Sequence, residues 1–93
     1  MSILVRIPSG FRALVEGQHE IILGVNPHGY TSIREVMNIL SRRYGGAIRE
    51  KIIDQDHQQR PHLELLLNGE NIRSLQGLET RVKPGDVVLI DHQ

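Results

Sequence analysis

The sequence has no cysteine and no tryptophan, and only three aromatic residues, Phe11, Tyr30 and Tyr44, among its 93 positions. Without cysteine there is no disulfide, no thiolate nucleophile and no cysteine-ligated zinc. So few rings leave the core to Ile, Leu and Val. No charge of one sign prevails either: eleven basic residues balance eleven acidic ones. A non-specific nucleic-acid binder would carry a basic surplus, so no nucleic-acid partner is expected. The apolar runs fall far short of the roughly 20 residues that cross a bilayer. No charged-then-apolar leader opens the sequence. No membrane association is expected, and the cytoplasm is the expected compartment.

What is present is globular in kind, with 39% hydrophobic and 24% charged residues. The length suits one domain spanning residues 1–93, because two would leave neither a sufficient core. Ile3, Val5 and Ile7 alternate with Ser2, Leu4 and Arg6, the period of a strand. After Pro8-Ser9-Gly10, the apolar stretch Phe11–Val15 is too brief to read as a helix. A second strand, His19–Val25, lies close enough to pair with the first as a hairpin. Asn26-Pro27-His28-Gly29 breaks the chain.

A helix follows. Ser32 and Glu35 have capping-box spacing, and Ile33, Val36, Met37, Leu40 and Tyr44 form one apolar stripe. Gly45-Gly46 stops it, and Ala47–Ile53 offers a further short turn. Beyond the polar loop Asp54–Pro61 come a strand at His62–Leu67, the reversal Asn68-Gly69, a brief return at Glu70–Arg73 and a loop over Ser74–Thr80. Lys83-Pro84-Gly85-Asp86 is a turn, and Val87–Ile90 is the last strand. One amphipathic helix covers one face of a sheet, and the first and last strands suit its centre. The expected fold is α+β: a β-grasp, with a mixed sheet of four to five strands packed on one main helix.

The stretches Leu67-Asn68-Gly69-Glu70-Asn71-Ile72-Arg73, Gly77-Leu78-Glu79-Thr80 and Val82-Lys83-Pro84-Gly85-Asp86-Val87-Val88 resemble the ubiquitin-like sulfur-carrier (MoaD/ThiS) family. That family includes the small subunit of molybdopterin synthase and the thiamine sulfur carrier. The helix from Ser32 to Tyr44 and the turn from Ala47 to Asp54 fit the same pattern. The resemblance implies a protein cosubstrate in sulfur transfer for cofactor biosynthesis, not an independent catalyst. It also implies two kinds of partner: an adenylating enzyme of the ubiquitin-activating type and a synthase large subunit. In the family a flexible tail ends in Gly-Gly, and its terminal carboxylate is adenylated and then converted to a thiocarboxylate. Glycine suits a tail that must thread a narrow channel. In this sequence Asp91-His92-Gln93 stand where that tail is expected to begin, and no residue matches the terminal glycine. Carrier function therefore presupposes a Gly-Gly tail in the full product. The alternatives are a diverged β-grasp module that binds a partner noncovalently and, more distantly, a ubiquitin-like protein modifier.

Candidate site residues follow from the strand alternation. If Val88 and Ile90 face the helix, Leu89 and Asp91 face outward. Leu66 joins them if Leu63, Leu65 and Leu67 face inward. Leu66, Leu89, Asp91, His92 and Gln93 are the expected partner-binding residues. Arg42 and Arg43 suit either a helix C-terminus or a docking patch for an acidic partner. Arg73 and Arg81 suit ion pairs with Glu70 or Glu79, or a partner contact. His19, His28, His57, His62 and His92 have no metal-ligand spacing, although Asp54 and Asp56 lie near His57. No nucleophile constellation and no phosphate-binding glycine loop occur. No catalytic residue, metal or cofactor is assigned.

Overall fold

The computed structural model describes residues 1–25 and 31–92. The expected break at Asn26-Pro27-His28-Gly29, together with Tyr30 and Gln93, lies outside the described residues. Strand β1 (Ser2–Arg6) turns Ile3 and Val5 inward and pairs antiparallel with β2 (Glu20–Gly24) as the expected hairpin. The connection is more ordered than its sequence suggests. Ser9–Val15 winds into a 3₁₀ helix that buries Phe11 and Val15, because two apolar residues four apart reach the core from one tight coil.

Next come β3 (Thr31–Ser32) and helix α1 (Ile33–Tyr44). Ser32 Oγ accepts the Glu35 N–H at 3.2 Å, which satisfies one orphan donor of the first turn. The reciprocal half of the capping box gives way to side-chain pairing: the Glu35 carboxylate takes Asn38 at 3.3 Å and Arg42 at 3.0 Å instead. Ile33, Val36, Met37 and Leu40 are buried, and Tyr44 is half-buried against the same core. The expected stop at Gly45-Gly46 is a corner. Gly45 turns the chain with φ = 100°, and Gly46 opens a second helix, α2 (Gly46–Ile52), which buries Ile48 and Ile52.

Strands β4 (Leu63–Leu67) and β5 (Glu70–Asn71) meet through Asn68 and Gly69, whose φ of 52° and 87° are those of a tight primed turn. The 3₁₀ turn Ile72–Ser74 cuts the expected return at Glu70–Arg73 to two residues, and a second, Gly77–Glu79, lies in the expected loop. The short β6 (Arg81–Val82) pairs with β3, a second small sheet that two-residue strands do not announce in sequence. The last strand, β7, spans Val87–His92 and so outruns the expected Val87–Ile90. Asp91 and His92 are not tail: they pair with Glu64 and Leu63 of β4. Strand pairing continues because β4 offers partners as far back as Leu63.

The main sheet runs β2-β1-β7-β4-β5, with β1 and β7 parallel at its centre and the remaining pairs antiparallel. This is the β-grasp. The buried aliphatic side chains of the inner sheet face and of both helices form one core. Leu67, expected inward, is only half-buried at its margin. No helix among the described residues is long and apolar enough to cross a membrane.

Candidate functional site

Both helices pack on the inner face of the sheet, and the outer face carries the candidate site. The ladder places Leu66 of β4 directly opposite Leu89 of β7. Leu66 is half-buried and Leu89 is 37% exposed. Asp91 lies two residues on from Leu89, exposed and opposite Glu64. His92 continues the strand opposite Leu63, and Gln93 lies outside the described residues. The structure thus brings Leu66, Leu89 and Asp91 together on one surface.

The apolar surface is wider than that pair. Leu4 stands between Ile22 of β2 and Val87 of β7, and all three point outward. Ile22 is 66% exposed. Leu4, Ile22 and Val87 were not among the expected site residues. The signal that finds them is the alternation already used for β7: if Ile3, Val5, Ile21, Leu23 and Val88 point inward, their neighbours must point outward. Arg6, opposite Leu89 in β1, pairs loosely with Glu20 at 3.7 Å and bounds the apolar surface with charge. Beside Arg6, a groove of about 700 Å³ runs along the end of β7, walled by Leu89, Asp91, Arg12 and His19.

A clasp fixes the other end of β7. Asp86 is buried, and its carboxylate accepts the Asn68 amide at 3.0 Å and the Lys83 N–H at 2.9 Å. Asn68 Oδ1 in turn accepts the Val87 N–H at 2.8 Å. Burial pushes the Asp86 carboxyl upward, but the Asn68 amide, the Lys83 N–H and the Lys83 ammonium outweigh it and hold the group below the usual aspartate range. The two turns that resemble the family pattern are therefore one hydrogen-bonded unit, and it sets where β7 begins.

Glu79 pairs with Arg34 at 2.7 Å, and Arg73 donates to the carbonyls of Arg60 and Pro61. Among the described residues Arg73 therefore forms an ion pair with neither Glu70 nor Glu79. Arg34 lies close enough to take Glu79 because α1 packs against the Gly77–Glu79 turn. Asp54 Oδ1 accepts the N–H groups of Asp56 and Gln58, so it orders its own loop. His28 lies outside the described residues.

Comparison with known proteins gives this surface a context. The ThiS family model matches residues 13–90. A candidate sulfur carrier protein of Archaeoglobus fulgidus is 32% identical over 90 residues, which cover 97% of this chain and 92% of that one. The crystal structure of Mycobacterium tuberculosis CysO superposes with a TM-score of 0.83 at 24% identity, covering 97% of both chains. A chain of the Amycolatopsis orientalis BexX/CysO complex gives 0.81 at 23% identity, covering 97% of this chain and 93% of that one. At those identities the two structures speak for the fold.

Proposed function

From the premise that the chain belongs to the ThiS family, we propose that it is a protein carrier in sulfur transfer for cofactor biosynthesis, not an independent catalyst, and that it acts in the cytoplasm. On this reading the outer sheet face docks on an adenylating enzyme of the ubiquitin-activating type or on a synthase large subunit. The carrying observation is the apolar row of Leu66, Leu89, Val87, Leu4 and Ile22 on a sheet face that, among the described residues, no helix packs against. Its centre is apolar and its rim charged, the anatomy of a protein interface. Leu89 also sits on β7, the strand that leads toward the C-terminus, so a partner docked there is beside whatever follows.

The chemistry needs a Gly-Gly tail in the full product. The terminal carboxylate attacks the α-phosphate of ATP and releases pyrophosphate. A sulfur donor then displaces AMP and leaves a thiocarboxylate. The test is to incubate the full product with its adenylating enzyme, ATP and a sulfur donor, and to weigh it. A mass gain equal to the exchange of one oxygen for one sulfur supports carrier function. Stable binding without that gain supports the second reading, a module that binds its partner noncovalently. That reading is favoured by Asp91 and His92, which are held in β7 and so are not part of a flexible tail.

A further inference from the structure

Strand β2 lies at an edge of the sheet and, among the described residues, pairs only with β1. The parity of that ladder shows which of its backbone groups are left over. Val25 donates to Met1 O at 3.0 Å and Ile7 donates to His19 O at 2.8 Å. The odd-numbered residues of this segment therefore exchange hydrogen bonds with β1. The N–H and C=O groups of Glu20, Ile22 and Gly24 point away from it, toward the edge. Such an edge is a template for an added strand unless something blunts it. The segment Glu20-Ile21-Ile22-Leu23-Gly24 has no proline and no lysine, the residues that commonly do so.

Arg43 is the side chain that reaches this edge. From the last turn of α1 it donates to Ile22 O at 3.2 Å. Its neighbour Arg42 is neutralised by Glu35 at 3.0 Å. Arg43 lies over the Tyr44 ring and has no carboxylate within ion-pair distance among the described residues. Farther along, a hollow of about 730 Å³ opens between Gly24 and α1, and its wall is mostly polar, with Thr31, Ser32, Glu35 and Glu79 beside Ile39. The edge thus offers a hydrogen-bonding ladder and a cation without a counter-charge.

We propose that the β2 edge binds an extended partner segment by strand addition, one that carries a carboxylate for Arg43. The incoming backbone takes over Ile22 O, and the freed guanidinium pairs with the carboxylate. Charge complementarity selects this occupant over a second copy of the chain. Antiparallel pairing of two copies about Ile22 would bring both Arg43 side chains to the same axis, where like charges repel. The proposal does not rest on the carrier reading, since the edge and the outer face are different surfaces.

The test uses ¹⁵N-labelled protein and two capped synthetic heptapeptides. One alternates valine and isoleucine and ends in two aspartates. The other replaces the aspartates with lysines. The acidic peptide should shift the amides of Glu20, Ile22 and Gly24, and the lysine peptide should bind at least about tenfold more weakly. Arg43→Glu, an exposed change that leaves the core intact, should reverse that preference. Shifts confined to β4 and β7, equal binding of both peptides, or no shift with either would overturn the proposal. So would concentration-dependent broadening of the same three amides without peptide, the sign of a second copy.

Discussion

Asp86 is a carboxylate buried with three donors around it, and its titration is coupled to folding. Its folded-state pKa lies below the ordinary value of 3.8. In the unfolded chain the group takes up a proton at that ordinary value, while the folded protein resists until a lower pH. The stabilisation is therefore fully present above the unfolded pKa and is lost as pH falls through the folded one. Denaturant melts should show stability dropping with acid below about pH 4. In Asp86→Ala that portion of the acid dependence should vanish. Asp86→Ala should also cost roughly 1–3 kcal/mol at neutral pH, because the Lys83 N–H and the Asn68 amide lose their acceptor. Melts of wild type and variant with the same acid dependence would refute this role. The turn residues themselves were legible in sequence, since Asn-Gly and Pro-Gly pairs announce reversals by their backbone preferences. That Asn68 and Asp86 bond each other was not, because no local pattern encodes a contact between residues 18 apart.

At the scale of the element, α1 was legible where its signals are local. The stripe from Ile33 to Leu40 and the cap at Ser32 follow from spacing, and both are found. Ser32→Ala should cost about 1 kcal/mol, the usual loss when an N-terminal hydroxyl acceptor is removed. Gly45 sharpens the argument about where α1 ends. A side chain there would meet no atom within 4 Å, yet φ is +100°. Gly45→Ala should therefore destabilise through backbone strain alone, by roughly 1–2 kcal/mol. Chemical denaturation of both variants would check these values, and a neutral Gly45→Ala would mean that the corner can relax. Elements held by distant partners escaped the sequence. The β3–β6 pair consists of two residues a side, and Asp91 and His92 are strand because β4 runs alongside them. A polar Asp-His pair in isolation reads as an end.

At the scale of the whole molecule, the outer face of the β-grasp and the β2 edge beside α1 are separate surfaces. They share Ile22, whose side chain joins the outer apolar row while its carbonyl faces the edge and Arg43. Half of the outer face was legible, since the alternation of β7 gives Leu89 and Asp91. The half contributed by Leu4 and Ile22 required knowing that β1 and β2 lie in the same sheet and in which register. This division makes a prediction about independence. Leu89→Ala should weaken docking of the adenylating enzyme by about 1–2 kcal/mol, as truncation of a central apolar contact does. It should leave the acidic peptide's preference at the β2 edge unchanged, because Arg43 and the edge carbonyls are untouched. Arg43→Glu should do the converse. Combined in one chain, the two changes should add within about 0.5 kcal/mol for each ligand, the behaviour of substituted side chains that do not touch each other. Titration calorimetry of the two single variants and the double variant against both ligands measures this directly. A larger coupling would mean that Ile22 transmits one surface's occupancy to the other, through the β2 backbone that belongs to both.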